Sequence, residues 1–254
     1  SGALLFGQWW FSDTLSMKAM RAVEVTPEQA PQLHAVVDRL CAMADMPKPR
    51  VGIADSEAPN AFATGRSPNR SVVVVTTGLL RRLNRDELEG VLAHELSHVA
   101  HRDVTVMTVA SFTAILAGFM VRSAMWGSMM RGRRDQNTAL VFIGVMVVSV
   151  IVYFVSYLLI NALSRYRELG ADRGAALLTG QPSALASALT KISGDMATIP
   201  TRDIRQMEAV SAFAFAPAVA GKREFTLEQW FSTHPPLEKR LAQLASIARE
   251  LGQR

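Results

Sequence analysis

Hydrophobic and polar positions along this 254-residue chain form amphipathic stretches of ordinary length, interrupted by two long blocks in which no charge occurs. Leu33, Val36, Val37 and Leu40 recur at helical spacing behind Thr26, Pro27, Glu28 and Gln29, a capping box with proline in the first turn. A helix is predicted from there to about Met46, its regular part delayed by Pro31. PKPRVGIAD, AFATG and SVVVVTTG are β-branched runs separated by the turn chemistry of RSPNR, so a small sheet follows, too short in sequence for a wound βαβ architecture. Asn84 is an N-cap with Asp86 and Glu87 in the first turn, and it opens a helix through DELEGVLAHELSHVAHRD toward the first uncharged block. After the second block, SRYRELGADRGAALLTG reads as a helix stopped by Gly180, and Pro182 to Ser193 as another. Residues 194–231 mix Pro, Gly, charge and AFAFA without one period. Leu237, Leu241, Leu244, Ile247 and Leu251 close the chain as an amphipathic helix.

The uncharged blocks, residues 104–121 and 136–164, are not amphipathic at all. As a helix the first is about 27 Å long, enough for the hydrocarbon core of a bilayer, and the second is longer. Between them RSAMWGSMMRGRRD carries four arginines, a tryptophan and two glycines, as a chain turning back at a headgroup surface needs. A transmembrane helical hairpin is predicted. The first twelve residues, SGALLFGQWWFS, are too short to span; Trp9, Trp10 and Phe11 read as the interfacial end of a preceding span.

Composition sharpens this division. The 47 residues of the two blocks leave 207 that carry all 49 charges, roughly 24%, the proportion of a soluble domain. The apolar content excludes disorder, and a single cysteine, Cys41, excludes an internal disulfide and suits a reducing compartment. A net charge of +5 is dispersed and accompanied by no nucleic-acid-binding pattern, so the partner it implies is an anionic lipid bilayer rather than nucleic acid.

The chemistry concentrates in H-E-L-S-H. His94 and His98, four apart on one helix, present both imidazoles to one metal ion, and Glu95 lies about 100° around the helix, able to reach a water without taking a coordination position. A catalytic zinc commonly takes three protein ligands. His101 lies a further turn along, at the membrane boundary, and reads as an interfacial histidine. Glu168 is the stronger third ligand, because the hairpin returns its helix beside the first. Asp172, four residues on, is placed to accept the outer ring N–H of a ligand histidine.

These residues and their order resemble the HtpX family of membrane zinc metalloproteases, related to the CAAX prenyl proteases. The likeness runs through QWWFSD, NAFATG, TTGLL, LNRDELEGVLAHELSHVAHRD, the hydrophobic hairpin, SRYRELGADRGAA and FSTHPPLEKRL. It implies one zinc ion held by His94, His98 and Glu168, Glu95 as general base, and Asp172 as an outer partner. Asn60, Ala61, Phe62 and Ala63 match a strand whose edge pairs with extended substrate, against the plainer reading of a buried hairpin strand. His234, in STHPP, is a candidate donor to a developing oxyanion, against helix-start punctuation.

The fold expected is α+β, mostly helical, a zincin-like (gluzincin) metalloprotease domain interrupted by the hairpin. Residues 1–12 are the interfacial remnant, 13–103 and 165–254 the two parts of the protease domain, and 104–164 the hairpin. The resemblance implies polypeptide substrates, misfolded membrane proteins among them, and a protease domain on the cytoplasmic side of a bacterial plasma membrane. A prenyl-protein processing protease and a non-catalytic zinc-containing scaffold or holdase remain alternatives. A closed structural zinc site typically uses four protein ligands with several cysteines, which argues against the scaffold.

Overall fold

The computed structural model describes residues 6–7, 9–130, 136–196 and 235–253. In chain order these give α1 (Ser12–Ala19), β1 (Val23–Glu24), α2 (Pro31–Met43), β2 (Arg50–Ala54), β3 (Ala61–Ser67), β4 (Arg70–Thr76), α3 (Thr77–Arg82), α4 (Arg85–Ala100), α5 (Asp103–Met130), α6 (Gln136–Thr179), α7 (Pro182–Met196) and α8 (Leu237–Glu250). The protein is thus mostly helical with one small sheet.

The sheet has the order β1-β2-β4-β3, with β2 and β4 parallel and the other pairs antiparallel. β4 is central, so its run Ser71–Thr76 is buried on both faces, which explains why its apolar residues do not alternate. One face packs on the main core, built from Val37, Leu40, Val73, Leu92, Leu96 and Leu189 among others. The other carries Phe62, Val72 and Val74 and is covered by Met17 and Met20 of α1 and its C-cap. Cys41 lies in the main core, and burial pushes its thiol up to about 11.

Two elements differ from their expected bounds. The residues Thr26–Gln29 form a separate turn, with the Thr26 N–H donating to Gln29 Oε1 at 2.9 Å, and α2 begins only at Pro31. The helix bearing Glu168 is not a new element either: α6 runs unbroken for 44 residues, about 66 Å, from the second uncharged block to Thr179. It ends at Gly180, whose φ of +68° is a conformation glycine adopts without a Cβ clash.

α4 is the hub. Asn84 Oδ1 accepts from the Glu87 N–H at 2.9 Å and Glu87 Oε2 accepts from the Asn84 N–H at 2.9 Å, completing the capping box. Buried Glu87 also receives Ser187 Oγ at 2.6 Å and Lys191 Nζ at 2.7 Å from α7. Further along, Gly174 lets α6 approach α4 closely; a Cβ there would stand 2.8 Å from Ser97 Oγ.

α5 packs along α6. Among the described residues, one helical stretch, Ile143–Thr179, is long and apolar enough to cross a membrane, and Asp103–Phe112 is a shorter apolar stretch. Val148, Ile151, Tyr153 and Phe154 are each at least half exposed, so the apolar part of α6 is not a soluble core helix. At the start of α5, Trp9 Nε1 donates to Thr105 Oγ1 at 3.2 Å, and the Arg66 guanidinium stacks over Trp10 at 3.5 Å from the ring centre.

Candidate metal centre

α4 carries His94, Glu95 and His98; α6 crosses it with Glu168 and Asp172. One ligand atom each from His94, His98 and Glu168 lies within 4.8 Å of the others, so the three can hold a metal ion. His98 Nε2 is 3.4 Å from Glu168 Oε1, and His94 Nε2 is 3.7 Å from Glu168 Oε2.

The outer nitrogens decide the tautomers. His94 Nδ1 donates to Asp172 Oδ1 at 2.9 Å, and His98 Nδ1 donates to Asp103 Oδ2 at 2.5 Å. Ionised carboxylates only accept, so each Nδ1 carries its proton and each ring turns Nε2 inward, with a lone pair for a metal once that nitrogen is unprotonated. The two Nε2 atoms are 3.2 Å apart. Two lone pairs at that distance repel unless a positive charge lies with them, which is the donor arrangement a small divalent cation needs.

Neighbours and burial set the protonation of each group. Burial opposes charge on His98, but hydrogen bonds to Asp103 and Glu168 outweigh it and lift the ring to about 10. Burial instead dominates at His94 and depresses it, against the pull of Asp172. For Asp172 burial is the largest influence, yet hydrogen bonds from Arg240 and His94 overcome it and hold the carboxyl below its usual range. Burial pushes Glu95 up to about 8, opposed by His98 and reinforced by Glu168. Glu95 Oε2 accepts the Ala63 N–H of edge strand β3 at 3.0 Å.

Several sequence expectations meet here. His94, Glu95, His98, Glu168 and Asp172 come together, and Ala63 reaches them from β3. Asn60 instead anchors the start of the β3–β4 pairing, its C=O accepting from the Thr76 N–H at 2.9 Å, while Ala61 and Phe62 are buried. His101 is exposed and turns Nδ1 to Ser97 Oγ at 3.3 Å, outside the metal group. His234 lies outside the described residues.

Sequence reasoning missed Arg240, Asp103 and Arg167. Arg240, on α8, donates Nε and Nη2 to the two oxygens of Asp172 at 2.7 and 2.6 Å and places Nη1 3.8 Å from Glu168 Oε2. Its signal was a charge on the apolar stripe of Leu237 and Leu244. Asp103 also receives Arg167 Nη2 at 2.8 Å, a pairing with no sequence signal.

Residues 27–248 match the sequence profile of peptidase family M48. The chain is 61% identical over 252 residues to Protease HtpX homolog 1 of Streptomyces coelicolor, covering 99% of this chain and 82% of that one. It is 53% identical over 254 residues to Protease HtpX homolog of Moorella thermoacetica, covering 99% and 84%. The crystal structure of S. mikatae Ste24p aligns with a TM-score of 0.55 at 17% identity over 94% of this chain, a likeness of fold alone, and this chain spans 58% of that protein. On the strength of the profile and of near-full-length identity to HtpX proteases, the chain belongs to peptidase family M48, as a metalloprotease of the HtpX group.

Proposed function

We propose that the protein is a membrane-anchored, zinc-dependent endopeptidase that hydrolyses loose segments of misfolded or damaged membrane proteins. The observation that carries this reading is the convergence of His94 Nε2, His98 Nε2 and a Glu168 oxygen on one point, with a buried Glu95 carboxylate beside it. The three residues hold the ion, and zinc bound there supplies a Lewis acid that polarises the scissile carbonyl and acidifies a water.

Glu95 is the proton carrier. Its ionised carboxylate takes a proton from the attacking water and returns it to the leaving amide nitrogen; burial raises the carboxyl, and positive charge at the site, that of His98 included, favours the ionised form a base needs. The edge of β3 that faces away from β4 offers main-chain groups around Ala63 to an extended peptide, binding many sequences by backbone pairing. His234 serves as a donor to the oxyanion. Asp172 fixes His94 in the Nδ1–H tautomer.

In this reading residues 13–103 and 165–254 form one zincin-like domain, and 104–164 cross the bilayer twice as the paired α5 and α6. The exposed apolar side chains of α6 face lipid, and the Trp9, Trp10 and Arg66 cluster lies at headgroup level. The protease domain faces the cytoplasm.

The test is zinc content and casein hydrolysis, measured together on the purified full chain in lipid nanodiscs. Glu95→Gln is expected to keep zinc and lose hydrolysis, because the proton acceptor goes while the ligands stay. Glu168→Ala is expected to lose zinc, and His101→Ala to keep it. Turnover of Glu95→Gln within tenfold of the parent removes the general base, and the reverse order of zinc loss removes Glu168 as a ligand.

A further inference from the structure

We propose that Asp103 and Arg167 are positioning residues of the metal centre, a brace that fixes His98 relative to Glu168 and ties both to the helices entering the apolar region. The inference rests on the reading that His94, His98 and Glu168 hold a metal.

The backbone shows how the brace is made. In an uninterrupted α-helix a residue five positions on lies about 140° around the axis and cannot reach back. Here α4 ends at Ala100, and Arg102 takes a left-handed φ of +55°, unfavourable for a side-chain-bearing residue. That turn swings the first residue of α5 back over the end of α4, and Asp103 Oδ2 meets His98 Nδ1 at 2.5 Å. Asp103 is buried, and the same oxygen receives Arg167 Nη2 at 2.8 Å.

Arg167 directly precedes Glu168, whose Oε1 lies 3.4 Å from His98 Nε2. The His98 ring is therefore gripped on both nitrogens by one short segment of α6, directly through Glu168 and around the back through Arg167 and Asp103. The arrangement matches the one on the other ligand, where His94 Nδ1 meets Asp172 and Asp172 meets Arg240. Each ligand histidine has its own carboxylate, and each carboxylate its own guanidinium. The His94 brace is built from α6 and α8. The His98 brace is built where α5 leaves the body and α6 returns to it, with Asp103 on the one and Arg167 on the other.

The experiment measures zinc affinity by competition with a chromophoric chelator, and kcat and KM separately on a casein-derived peptide, for the full chain in nanodiscs. Asp103→Asn keeps the shape and removes the charge; it is expected to weaken zinc binding roughly 10- to 100-fold and to lower kcat with KM little changed. Arg167→Met should give a smaller loss in the same direction, and Arg167→Lys should recover most of it. Because Arg167 acts through Asp103, the double variant Asp103→Asn/Arg167→Met should bind zinc no more weakly than Asp103→Asn alone. Zinc affinity of Asp103→Asn within twofold of the parent, or losses that add in full, overturns the proposal. If Asp103→Asn loses its helical circular dichroism, the comparison of Arg167→Met with Arg167→Lys decides in its place. A parent chain that binds zinc and cleaves nothing defeats the peptidase reading and leaves the affinity comparison standing.

Discussion

Arg240 sits on the apolar stripe of α8, three residues after Leu237 and four before Leu244, and is only 2% exposed. Its two-pronged pairing with fully buried Asp172 takes two charges out of water at once, so removing one partner strands the other. Arg240→Met is expected to destabilise the protein by about 3–5 kcal/mol, measured by thermal unfolding, and to weaken zinc binding through His94. With Asp172→Asn added, the combined loss should be clearly smaller than the sum of the single losses; full additivity would mean that Arg240 stabilises through other contacts. At this scale the sequence revealed the residues that local spacing relates. His94, Glu95 and His98 share one helix turn or two, and Asp172 follows Glu168 by four. Arg240 reaches Asp172 across 68 positions, and Asp103 reaches His98 through a left-handed turn, which no periodicity encodes.

α4 carries half of the centre, and its N-terminus is held by a carboxylate that serves as cap, hydrogen-bond acceptor and ion-pair partner together. Burial works against the charge on Glu87, but Lys191, Ser187 and the Asn84 capping box overcome it and hold the carboxyl below its ordinary value of 4.5. A group depressed in the folded state stabilises at pH above its unfolded pKa, and the stabilisation disappears as pH falls through the folded pKa. The parent should therefore exceed Glu87→Gln in thermal midpoint at pH 7, with the gap closing below about pH 4. A gap that persists unchanged at pH 3 would assign the effect to shape rather than charge. The expected helix around Thr26 and the unexpected length of α6 teach one lesson about elements. Thr26–Gln29 has good cap chemistry, but Pro31, with its fixed φ and no N–H, sets the first helical turn. Charge resumes at Arg165 while the backbone carries no breaker there, so the change of solvent divides the sequence and not the helix.

For the whole molecule, charge does not choose the side of the membrane: Arg122, Arg131, Arg133 and Arg134 between the uncharged blocks are balanced by Arg102, Arg165, Arg167 and Arg173 at their other ends. The cytoplasmic placement proposed above leads to a labelling outcome in a Cys41→Ser background. Ser128→Cys should react with an impermeant thiol reagent in intact cells, and Ser246→Cys only after lysis; the opposite pattern puts the protease domain outside. The two uncharged blocks were legible from hydropathy alone. The order β1-β2-β4-β3 was not, because β1 is two residues long and its pairing with β2 leaves no pattern in the chain. The reach of Arg240 to Asp172 also sets a clock on synthesis. At roughly 5–20 residues per second, the 68 positions between them take about 3–14 s to translate. During that interval the growing chain already holds both histidines and Glu168, but the carboxylate that orients His94 lacks its counter-ion. A newly made copy thus acquires the full support of its centre only when α8 docks and Arg240 meets Asp172.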